Sequence, residues 1–77
     1  MDKSLYTAEH LRLCAALREL RNEAGLTQVQ VAAELGVPQS FVSKYESGER
    51  RLDVIELHHV AKALGVTVQT ILERVGI

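Results

Sequence analysis

Apolar residues recur along this chain at helical spacing, and strand-like alternation is absent throughout. From Glu9 to about Glu23, Leu13, Leu17, Leu20 and Ala24 step every three to four residues and predict a first helix. Its start stays open between two caps, Ser4 and Thr7. Gly25 stands where a left-handed residue ends a helix, which lets Leu26 pack back on the preceding turn, and Arg18 and Arg21 suit the negative end of the helix dipole. Thr27 followed three residues later by Gln30 is a capping box, so a second helix begins at Gln28, with Val31, Ala32 and Leu35 on one face. Gly36 ends it. Val37-Pro38 opens a third helix of about Gln39 to Ser47, because the missing proline N–H is not needed in a first turn, and Gly48 stops that helix. After the charged loop Glu49-Arg50-Arg51-Leu52, the pair Asp53 and Glu56 starts a fourth helix, Val54 to Leu64, with Leu57, Val60, Ala61 and Leu64 inward. Gly65 ends it, and Thr67 caps a fifth helix carrying Val68, Ile71, Leu72 and Val75 at i, i+3, i+4 and i+7. The expected fold is all-α, five short helices with tight turns forming a single compact domain over residues 1–77.

The third helix is unlike its neighbours. Only Val42 and Tyr45 are expected to face inward, while Gln39, Ser40, Ser43 and Lys44 present hydrogen-bonding side chains of short or moderate length. A helix face that is simply solvated usually carries dense Glu/Lys pairing, and this one does not. Such a face suits contact with something polar.

Composition narrows the classes. A chain of 77 residues buries only about 60% of its unfolded surface, so its stability margin is thin and dimerisation would add to it. With one Phe, two Tyr and no Trp, the core must be built from Leu, Val, Ile and Ala. A net charge of −1 and a pI near 6.3 give nucleic acid no support at the level of the whole chain. Charge placement matters more, because phosphate contacts act within a Debye length of roughly 8 Å. Cys14 has no partner for an internal disulfide and reads as a small apolar residue of the first helix. No secretory signal and no apolar run near 18 residues appears, so a cytoplasmic protein away from membranes is expected. His58 and His59, adjacent on a helix, point about 100° apart and cannot jointly hold a metal. With no catalytic constellation and little room for a closed site, neither enzyme activity, cofactor nor metal is expected.

The stretch Gln28 to Ser47 resembles the helix-turn-helix of the lambda-repressor and Cro-like family, often called XRE-type. Counting Gln28 as the first of twenty motif positions, the small residue expected fifth is Ala32, the turn glycine expected ninth is Gly36, and the branched aliphatic expected fifteenth is Val42. Ala32 allows the helices to cross closely, Gly36 turns the chain sharply, and Val42 with Tyr45 anchors the third helix. The resemblance extends through "LRELRNEAGLTQ" and "LHHVAKALGVTVQTIL", covering roughly residues 17–72.

The resemblance implies a lambda-repressor-like five-helix domain whose third helix enters the major groove of double-stranded DNA. Carried over by position, Gln39, Ser40, Ser43 and Lys44 resemble the base-reading set, and Gln28, Arg50 and Arg51 resemble backbone contacts. Any one of the polar residues alone would be an ordinary solvated position; their joint placement beside Ala32, Gly36 and Val42 is what points to DNA. Arg21 and Glu46 correspond to a structural pair across the first and third helices. Pro38 departs from the usual Ser or Thr cap, and Phe41, outside the buried face, is expected to pack against the loop rather than touch a thymine methyl. The implied function is sequence-specific transcriptional regulation, repression above all, by a homodimer on an inverted-repeat operator. The self-contact is expected from the fifth helix and the tail, where the filled bundle leaves Val75 and Ile77 to be covered. An antitoxin, a restriction-modification controller and a protein-interaction module on the same fold are the alternatives.

Overall fold

The computed structural model describes residues 7–77, so the possible cap at Ser4 lies outside the described residues. Five helices follow in order: α1 (Thr7–Glu23), α2 (Gln28–Leu35), α3 (Gln39–Ser47), α4 (Val54–Leu64) and α5 (Val68–Val75), with no strand among the described residues. Side-chain caps set the starts of α2, α4 and α5. Thr27 Oγ1 accepts from the Gln30 N–H at 3.1 Å while Gln30 Oε1 accepts from the Thr27 N–H at 2.8 Å, closing the capping box of α2. Asp53 and Glu56 close a second box on α4, at 2.7 and 2.9 Å. Pro38 adopts an extended backbone (φ −66°, ψ 154°) and is the N-cap of α3, in the place of the usual Ser or Thr and without a side-chain cap hydrogen bond.

Gly48, at φ +89°, ends α3 in the left-handed region, and a Cβ there would lie 3.6 Å from the Leu11 side chain and 3.9 Å from Cys14 Sγ. Glycine is therefore favoured by conformation, while space is ordinary.

The core is assembled from all five helices, with Leu17, Val31, Val42, Tyr45, Val60 and Ile71 fully enclosed. Cys14 is buried, whereas Leu13 and Leu35 are half-buried at its rim. Ala24 departs from its expected place in the α1 stripe: it falls just past the helix end and is exposed. Val75 also departs, being only 3% exposed. The reason is that α5 packs along α1, where Arg12 Nε donates to the Val75 carbonyl at 3.1 Å. Ile77 is 67% exposed, as expected. The packing that matters for function is that of α3: it rests on α1 and α2, which leaves its polar side outward.

Candidate nucleic-acid interface

On α3 the side chains divide as the pattern predicts. Val42 and Tyr45 are buried, and Gln39, Ser40, Ser43 and Lys44 are all exposed. Ala32 is buried within the α2–α3 packing, and the Val37 N–H donates to its carbonyl at 3.0 Å, which closes the turn through Gly36 (φ +72°). Burial pushes the Tyr45 hydroxyl well above its ordinary range, so it stays protonated under the face it supports.

Behind that face runs a chain of hydrogen bonds. Glu46 is the buried charged residue among those described, and Arg21 meets it bidentately, Nε to Oε2 at 2.7 Å and Nη2 to Oε1 at 3.1 Å. A third guanidinium bond, Nη1 to the Leu26 carbonyl at 3.0 Å, ties the α1–α2 turn to the pair. The hydrogen bond to Glu46 holds the Arg21 guanidinium above its already high range, against the opposing effect of burial. Gln28 Nε2 then donates to Glu46 Oε1 at 3.0 Å, and Gln39 Nε2 donates to Gln28 Oε1 at 3.4 Å. The chain therefore passes from α1 through the buried end of α3 to the exposed first residue of α3. Gln28 is the first residue of α2, and its half-buried side chain, held by Glu46, accepts from Gln39. Sequence reasoning missed this link, although Gln28 and Gln39 are the first residues of successive helices.

The two arginines of the following loop separate. Arg51 is exposed. Arg50 donates from Nη1 to Glu56 Oε1 at 3.1 Å and from Nη2 to Glu56 Oε2 at 2.7 Å, and its guanidinium lies 4.3 Å over the Phe41 ring. These hydrogen bonds raise the Arg50 pKa and hold the Glu56 carboxyl below the usual carboxylate range. Phe41 is half-buried and meets Tyr45 edge-on at 6.0 Å, so it packs against the loop rather than projecting. Among the described residues no group of three potential metal ligands gathers, and the His58 and His59 rings lie 5.2 Å apart on the exposed side of α4.

A helix-turn-helix family model matches residues 17–71 of this chain. The chain belongs to the XRE-type helix-turn-helix family of DNA-binding transcription regulators. The XRE-type fold is shared with an XRE-family like protein from Pseudomonas syringae pv. tomato, at TM-score 0.88 and 43% identity over 96% of this chain and 90% of that one. It is also shared with the restriction-modification controller protein C.AhdI from Aeromonas hydrophila, at TM-score 0.78 and 30% identity over 83% and 97% of the two chains. By sequence the domain is 48% identical over 48 residues to an uncharacterized HTH-type transcriptional regulator, y4dJ, of Sinorhizobium fredii, covering 62% of each chain. It spans half of the regulator DdrOP3 of Deinococcus deserti, at 34% identity over 65 residues. This XRE-type domain thus corresponds to only part of the length of those two relatives.

Proposed function

We propose that this XRE-type domain is a sequence-specific transcriptional regulator that reads double-stranded DNA with α3. The observation that carries the reading is the outer face of α3: four exposed polar side chains on a helix whose inner side is fixed by Val42, Tyr45 and the Arg21–Glu46 pair. Gln39 offers a bidentate match to adenine N6/N7, Lys44 reaches guanine O6/N7, and Ser40 and Ser43 serve either kind of base. The α2 N-terminus, with Gln28, and the exposed Arg51 supply backbone contacts, because free N–H groups and a cation both favour phosphate. Arg50 stands in the same loop with its charge already paired. No cofactor and no catalytic step enters.

One recognition helix reads only a few base pairs, so two copies on an inverted repeat, about one helical turn apart, are the assembly that selects a site. The exposed Ile77 supports a self-contact through the end of α5 and the tail, with Val75 contributing to the core instead. Repression, by occlusion of the promoter on which α3 is seated, is the mode of regulation that this reading favours. The likeness to C.AhdI supports a restriction-modification controller as the second reading. Selection of bound duplexes from a random pool tests the proposal: an inverted repeat with half-sites about 10 base pairs apart is the expected product. Recovery of unrelated sequences, with Gln39→Ala leaving affinity unchanged, would remove α3 as the reader.

A further inference from the structure

The loop that follows α3 brings one cation toward the DNA-facing side together with its own anion. Lys44, Arg50 and Arg51 are the cations between residues 39 and 53, so the state of Arg50 decides a third of the local positive charge. The Arg50 N–H donates to the Lys44 carbonyl at 3.2 Å, which fixes the residue directly under the end of α3. Its side chain is 37% exposed. Glu56 offers it two oxygens in the forked geometry that a phosphate group would offer. That carboxylate is itself immobilised, because Oε1 also accepts from the Asp53 N–H at 2.9 Å in the α4 capping box. The Phe41 ring beneath the guanidinium adds a further attraction.

An arginine that must exchange a carboxylate for a phosphate gains little net charge neutralisation from DNA. An unpaired arginine displaces a condensed counterion and gains the whole benefit. We propose that Glu56 is a specificity-determining residue that acts as an internal substitute for phosphate, withholding Arg50 from the DNA backbone and keeping the sequence-independent share of affinity low. The inference rests on the reading of α3 and its loop as the DNA-facing surface.

Glu56→Gln tests it. The amide oxygen still accepts from the Asp53 N–H, so the capping box is kept while the charge is lost. Binding to a random-sequence duplex, titrated against salt, should show a log–log slope steeper by about 0.9 and several-fold tighter nonspecific binding at low salt. Affinity for the selected site should rise less, so the specificity ratio falls. Arg50→Gln in the otherwise unaltered chain should leave the slope where it was, and the double variant should return to it. An unaltered slope in folded Glu56→Gln, or a uniform weakening on all duplexes with a lower Tm, overturns the proposal. If Glu56→Gln does not fold, Arg50→Gln decides alone: a slope shallower by about 0.9 means Arg50 already contacts phosphate. Failure of the unaltered protein to bind any duplex would instead defeat the DNA reading itself.

Discussion

Among the described residues Glu46 is the buried charged one, its side chain 3% exposed and serving both Arg21 and Gln28. Removing one partner of a buried ion pair leaves the other uncompensated, so Arg21→Ala or Glu46→Ala should each cost about 3 kcal/mol. Denaturant unfolding of both single variants and the double variant measures this, and the double should lose less than the sum. Additive losses would mean the pair does not form in solution. Gln39 behaves differently. With its backbone fixed by α3 and its side chain exposed, Gln39→Ala should leave Tm unaltered and cost roughly 1 to 3 kcal/mol at one or two base positions. Titratable residues give a third expectation. Glu23, bonded to Arg74, and Glu56, bonded to Arg50, both have carboxyl pKa values held below the ordinary 4.5. Their contribution is present above about pH 4.5 and is lost as pH falls through the depressed folded values. Tyr45 has the opposite sign. Its raised pKa gives stability that is complete below pH 10.0 and lost as pH rises through the folded value, so unfolding midpoints should decline on both sides of a neutral plateau.

The starts of α2, α4 and α5 were legible because each rests on a local signal, whereas that of α1 was left open. The starts of α2, α4 and α5 depend on Thr27, Asp53 and Thr67, whose side chains each bond a backbone N–H three residues on. Thr27→Ala should therefore cost about 1 kcal/mol, read as a shift in the unfolding midpoint, while a variant at the exposed Gln69 of α5 should shift it far less. The outward face of α3 was legible for a similar reason, since Val42 and Tyr45 define which side is inside. Features that join distant segments were not. Val75 follows the same apolar pattern whether it lies against α1 or in solvent, and only the packing of α5 on α1 decides. The pairing of Arg50 with Glu56 crosses from a loop to α4, and the link between Gln28 and Glu46 spans 18 positions, so neither follows from helical periodicity. Both place polar side chains of the candidate site in roles beyond the ones their motif positions imply.

At the scale of the domain, the proposed self-contact turns on the surface that the five small helices leave uncovered. Val54, Ile55 and Ile77 are exposed at 70, 64 and 67%, whereas α5 turns Gln69, Thr70, Glu73 and Arg74 outward. If the proposed dimer forms through the tail, deleting Gly76 and Ile77 should weaken self-association and DNA affinity while the chain stays helical, as sedimentation over a concentration series will read. Unaltered association would move the contact away from the tail, and Val54→Asp would then test α4. The Arg74–Glu23 bond from α5 to α1 lies at the surface, where such pairs contribute little, so the clasp of those helices depends on Ile71 and Val75. Beneath Gly48, between that clasp and the end of α3, sits the chain's one cysteine. Cys14 is buried and burial raises its thiol pKa, so a thiol reagent is expected to react with it slowly in the folded chain. The rate at which a thiol reagent marks Cys14, divided by the rate for an unprotected thiol, measures how often the core around it opens, and on the proposed reading of α3 that rate should fall when DNA is added.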